Sequence, residues 1–216
     1  MLTDHVPLFG LRLRTPGLDL RLPDLTELGR LGDAAADGVH DSAVMPFTVP
    51  WTEWPDVGRT VVLHALRQLG RWQPEDWDLG LVAFHDGTPV GKQNLGAKDF
   101  AITRDVHTGS WMSRAFHGRG LGTQMRAAVL ALAFEGLGAT SASSGAHLDN
   151  PASLRVSEKL GYRPDGVEVQ AIRGKPKIAR RLRLTRQDWE KHRTIPVEII
   201  GLEGCLPMFG LPVASA

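Results

Sequence analysis

Apolar and polar positions alternate at two periods along this chain, and the switches between them divide it into elements. At period two, Leu11-Arg12-Leu13 and Leu18-Asp19-Leu20-Arg21-Leu22 trade apolar for charged residues around Thr15-Pro16-Gly17, predicting a strand broken by a turn or a short hairpin. Asp24 and Glu27 stand at capping-box spacing beside Leu25, Leu28 and Leu31, a short helix. Val62, Ala65, Leu66 and Leu69 mark a second helix ending near Gly70 to Trp72. Leu79 to Phe84 and Val90 to Leu95 are apolar strands joined across the tight-turn dipeptide Asp86-Gly87. Val106 to Ser113 is the next strand. From Leu121, apolar residues return at Met125, Ala128, Val129 and Leu132, one face of a long helix running through Leu137. Ala139 to His147 follows as a strand of small residues. Asp149 or Asn150 caps a further helix with Pro151 in its first turn and Gly161 at its end. Tyr162 to Ile172 and Ile178 to Thr185 form a last hairpin around Gly174-Lys175.

Early strands that meet as hairpins and later ones that alternate with helices predict a mixed, mostly antiparallel sheet flanked by helices. The fold class is therefore α/β (α+β), in a single domain over residues 1–216. The stretch 40–55 carries three prolines and several large apolar side chains, so it reads as a loop pinned onto the core and able to wall a pocket. The tail 195–216 opens with an apolar stretch, Ile195 to Leu211, that packs on the body or on a second subunit; a homo-oligomer is expected on that ground.

Charge narrows the function. The 25 basic and 24 acidic residues leave a net charge of +1, which favours neither nucleic acid nor membrane. Arg180, Arg181 and Arg183 alternate with Leu182 and Leu184 as in a half-exposed, solvated strand, followed by a short helix. The single cysteine, Cys205, suits a reducing compartment, and neither a bilayer-spanning run nor a signal-peptide pattern is present, so a cytoplasmic protein is expected. The eight histidines lack metal-ligand spacing, and no metal is expected.

The chemistry points to the turn before the long helix. His117-Gly118-Arg119-Gly120-Leu121-Gly122-Thr123 places glycines at alternate positions ahead of a helix N-terminus. Glycine admits backbone angles closed to other residues and lets a ligand approach the main chain. The first amides of a helix lack partners, and its dipole favours an anion there. A pyrophosphate seat follows. It is neither a Walker loop, since no lysine follows Gly122, nor the G-x-G-x-x-G dinucleotide turn.

This segment resembles the Q/R-x-x-G-x-G/A coenzyme A motif of the GNAT superfamily of acyl-CoA-dependent N-acyltransferases, with His117 where Gln or Arg is usual. A second segment, Asn150-Pro151-Ala152-Ser153 running to Lys159-Leu160-Gly161-Tyr162, is similar to the N-x-x-S…K-x-G-F/Y helix of the RimJ/RimL-type ribosomal-protein branch. The resemblance implies transfer of an acyl group, acetyl by default and succinyl as an option, from acyl-CoA to a primary amine of a protein N-terminus or small molecule. It implies main-chain contacts to the cofactor from Gly118 to Thr123, with Arg119 adding charge. Trp111, Met112 and Ser113 would pair with the pantetheine arm, an amide there facing the oxyanion. Asn150 either caps its helix or bonds the pantetheine. Ser153, or Ser157 one turn later, would return a proton to the thiolate. Glu168 is placed like the base of related enzymes, with His147 and Asp149 as competitors. The alternative is a non-catalytic acyl-CoA sensor that keeps the cradle without turnover.

Overall fold

The computed structural model describes residues 1–212. Its strands are β1 (Arg12–Arg14), β2 (Asp19–Arg21), β3 (Asp76–His85), β4 (Thr88–Lys98), β5 (Asp105–Met112), β6 (Ser141–His147), β7 (Arg163–Ile172), β8 (Lys175–Thr185) and β9 (Glu198–Ile200). The helices are α1 (Leu2–His5), α2 (Leu25–Ala36), α3 (Val57–Gly70), α4 (Phe100–Thr103), α5 (Leu121–Ala131), α6 (Pro151–Lys159) and α7 (Arg186–His192). One nine-stranded sheet runs β7-β8-β6-β5-β4-β3-β2-β1-β9. All its pairings are antiparallel except β5 with β6, as expected of a mixed sheet. The broken early strand is a hairpin, β1–β2.

Side-chain alternation gives the sheet two apolar faces. One packs on α5 through Leu121, Met125, Ala128, Val129 and Leu132, the residues whose spacing predicts that helix. The other carries Val82 and Phe84 against Leu28, Leu31 and Ala35 of α2 and Val61 of α3. Asp24 caps α2 in a complete capping box, accepting from the Glu27 amide at 2.7 Å, a cap of about 1 kcal/mol. The long helix changes pitch near its end: Leu132–Gly136 form a wider π turn.

The loop over 40–55 is pinned, as its composition requires. Met45 is buried, and His40, Phe47, Trp51 and Trp111 form a chain of ring contacts 5.1 to 5.7 Å apart. The tail covers its own chain. β9 pairs with β1, Trp72 Nε1 donates to the Met208 carbonyl at 2.7 Å, and Phe209 meets Trp77 edge-on at 4.9 Å. That apolar surface therefore no longer argues for a second subunit; residues 213–216 of the tail lie outside the described residues.

One irregularity positions the site. β5 and β6 pair only from Asp105↔Ser141 to His107↔Ser143. Beyond that, β5 stays with β4 as far as Met112↔Gly91, and β6 stays with β8 as far as His147↔Ala179. The two strands part at their C-terminal ends. α5 begins shortly after the end of β5 and α6 shortly after the end of β6, so both helix N-termini stand at this gap, the usual place for a ligand in such sheets.

Candidate active site

The glycine turn has the geometry its spacing predicts. Gly118 and Gly120 both sit at φ +77, the left-handed region, and Gly120 is the N-cap of α5. A Cβ built on Gly118, Gly120 or Gly122 would meet open space, so the cradle is empty rather than filled by the protein. Among the described residues the amides of Gly118 to Gly122 reach no acceptor, while Thr123 and Gln124 already donate to the Gly120 carbonyl at 3.1 and 3.3 Å. Buried Leu121 and Met125 fix the helix below. Gln124 fixes its first turn sideways, its Oε1 accepting from Thr15 Oγ1 at 2.8 Å and from the Gly17 amide at 2.9 Å. A row of free amides at a held helix mouth fits a diphosphate.

His117, which departs from the usual motif, has a role the structure makes plain. Its Nε2–H donates to the Met112 carbonyl at 2.9 Å, folding the turn back onto the end of β5. Arg119 is exposed, stacked 5.2 Å from the Phe116 ring, and joined to no carboxylate among the described residues.

The strand itself differs in detail from the expectation. The Ser113 amide donates to the Val90 carbonyl at 2.8 Å, so it is committed to β4. Alternation then turns the main-chain groups of Ser110 and Met112 toward the gap. The Met112 amide, rather than that of Ser113, is the donor available there. The Trp111 side chain packs against Trp51 in the second apolar cluster.

On α6, Asn150 Oδ1 accepts from the Ser153 amide at 3.2 Å, so its oxygen is the helix cap. Ser153 Oγ is partly exposed and has no protein partner among the described residues. Ser157 is buried and engaged twice: it accepts from Arg126 Nη1 at 2.7 Å and donates to the Ser153 carbonyl at 3.1 Å.

The three candidate bases separate. His147 is buried, with Nδ1 3.2 Å from the Met45 carbonyl and Nε2 3.0 Å from Gln170 Oε1. Asp149 pairs with Lys177 at 3.0 Å. Glu168 is exposed, makes no side-chain bond among the described residues, and lines a groove of about 540 Å³ under Pro46 and Thr48. The groove reaches Thr108 and Ser144, where β5 and β6 part.

Sequence reasoning missed Arg126. This guanidinium lies between α5 and α6 with no carboxylate in ion-pair range among the described residues, and its Nε has no partner. Burial pushes its pKa down, opposed by nearby Tyr162. Burial also pushes the Tyr162 hydroxyl up; it lies 3.2 Å from Thr108 Oγ1. The available signal was simple: Arg126 is the single charge between Arg119 and Glu135.

Solved structures share this architecture. RimJ of Mycobacterium smegmatis, in complex with CoA-disulfide, is 20% identical with a TM-score of 0.68, covering 82% of this chain and 86% of its own. RimL, a ribosomal-protein α-N-acetyltransferase in complex with coenzyme A, is 15% identical with a TM-score of 0.64, covering 79% and 95%. A GNAT-family acetyltransferase of Bacillus anthracis is 14% identical with a TM-score of 0.65, covering 82% and 99%. At such identities the likeness is one of fold. The acetyltransferase (GNAT) domain model matches residues 18–163, which takes in β5 and β6, the glycine turn and the Asn150 helix. The chain thus belongs to the GNAT acetyltransferase family and is an acyl-CoA-dependent N-acetyltransferase.

Proposed function

We propose that this enzyme transfers an acetyl group from acetyl-CoA to the α-amine of an acceptor lying in the Glu168 groove, by direct attack of the amine on the thioester. One observation carries the reading: a single gap between β5 and β6 has free helix amides at its mouth and, in the groove reaching it, an unpaired carboxylate. The α-amine is favoured by likeness to RimL, an α-N-acetyltransferase.

Roles follow from which groups are free. The amides of Gly118 to Gly122 hold the diphosphate, and Arg119 adds charge beside them. Met112 offers its amide to the carbonyl oxygen as charge develops there. Glu168 takes the proton that the attacking nitrogen loses. As the N–C bond forms and the C–S bond breaks, Ser153 gives its hydroxyl proton to the sulfur and regains one from solvent. Ser157, held between Arg126 and the Ser153 carbonyl, positions α6 instead.

A dicarboxylic acyl group such as succinyl would need a cation near the thioester. Thiol release with acetyl-CoA and succinyl-CoA across a panel of amines tests the scheme. Turnover with acetyl-CoA is expected. Tight CoA binding with no thiol release from any pair would instead mean a sensor.

A further inference from the structure

The arginines of β8 are not equivalent. Arg183 is neutralised, with Nη1 3.3 Å from Asp105 and Nε 3.2 Å from Asp165. Arg181 lines the same groove yet meets no carboxylate in ion-pair range among the described residues. The backbone holds it: Nε donates to the Asp165 carbonyl at 3.1 Å, and the guanidinium lies over Gly166. There φ is +102, and a Cβ would stand 2.6 Å from Arg181 Nη2. A glycine at 166 thus makes room for a fixed guanidinium plane.

Glu168 stands opposite Ala179, two residues from Arg181, on one sheet face. Such diagonal neighbours lie about 7–8 Å apart. Opposite charges therefore share one groove without joining each other; among the described residues the Glu168 carboxylate and the two Nη groups of Arg181 have no hydrogen-bond partner. The groove, about 540 Å³, holds a group of amino-acid size, and its Thr108 and Ser144 end meets the gap where acyl transfer would occur.

We propose that the acceptor is an α-amine with a carboxylate within a few bonds of its nitrogen, and that Arg181 is the specificity-determining residue that takes this carboxylate while Glu168 takes the ammonium. This rests on the acyl-transfer reading and narrows its acceptor. A planar guanidinium matches a carboxylate with two parallel hydrogen bonds. Two sources carry such chemistry: a free α-amino acid, and the acidic first residue of a peptide.

Thiol release from acetyl-CoA decides, using acceptor pairs that differ only by carboxylate against amide: Asp-Ala-Ala amide with Asn-Ala-Ala amide, and alanine with alanine amide. The wild type is expected to favour the carboxylate member of one pair about tenfold in kcat/KM, mostly through KM, and that pair names the source. Arg181→Ala brings the ratio to about one, and Arg181→Glu inverts it. Because each ratio is internal to one variant, partial loss of fold cannot imitate the result. Equal use of both members by the wild type, or a ratio untouched by either substitution, overturns this assignment while leaving acyl transfer standing. Coenzyme A binding without thiol release from any acceptor overturns both.

Discussion

The two halves of the sheet treat charge differently. In the half from β1 to β4, several charged side chains are matched inside the protein. Arg12 pairs with Asp19, and Arg21 grips Glu27 through two bonds of 2.7 and 2.6 Å. Asp78 is held by Asn94 at 2.9 and 3.0 Å and by Gln68 at 2.5 Å, while buried Lys92 donates to Gln68. In the half from β5 to β8, the amides of Gly118 to Gly122 and the Glu168 carboxylate meet no partner among the described residues, while Arg126 and Arg181 keep only neutral ones, Ser157 Oγ and the Asp165 carbonyl. Two neutral atoms of the first half, Trp77 Nε1 and Gln93 Oε1, also lack partners, so the contrast concerns charge and the open helix mouth. Arg126 is buried, where an unmatched polar group costs about 1–3 kcal/mol, more when charged, whereas Glu168 and Arg181 are exposed and stay solvated. One half of the sheet is built to be complete, and the other to be completed by a ligand.

The contrast breaks most sharply at Gly120. Gly120→Val places a β-branched residue at φ +77 and a side chain in the open cradle; calorimetry should show CoA affinity falling about 100-fold or more, with the circular dichroism spectrum retained. An unchanged affinity would mean the diphosphate lies elsewhere. Next is Glu168→Gln, expected to lower kcat/KM about 100-fold, measured by thiol release. Ser153→Ala should lower kcat about tenfold at saturating substrates. Ser157→Ala should lower melting temperature more than kcat, and the reverse order would exchange their roles.

A smaller effect sharpens the matched half. Burial pushes Lys92 down to about 8 from its ordinary 10.5. Below pH 8 both native and unfolded chains carry this proton, and burying the charge costs stability. Between pH 8 and 10.5 the unfolded chain keeps a proton that the native one has lost, so stability rises with pH. Lys92→Met should remove that rise, on the order of 3 kcal/mol, as followed by denaturant unfolding across this window.

Much of this was legible in the sequence because it depends on local pattern. The glycine turn, the Asp24 cap, the Asp86-Gly87 hairpin and the Asn150 cap each follow from spacing and residue type. What depended on distant partners was not legible. His117 reaches the Met112 carbonyl only because the turn folds back, and the Ser113 amide is lost to Val90 by strand alternation. His147 and Asp149 look like bases until Met45, Gln170 and Lys177 arrive from elsewhere in the chain. The tail from Ile195 reads as packing on the body or on a second subunit, and the pairing of β9 with β1 shows its contact with its own chain.

On the proposed reading, free amides at the mouth of α5 hold the diphosphate of coenzyme A. Calorimetric titration with coenzyme A and, separately, with pantetheine, which lacks the diphosphate, tests it most directly. Heat with coenzyme A and none with pantetheine is the predicted result; equal binding of the two, or no heat with coenzyme A, would contradict it.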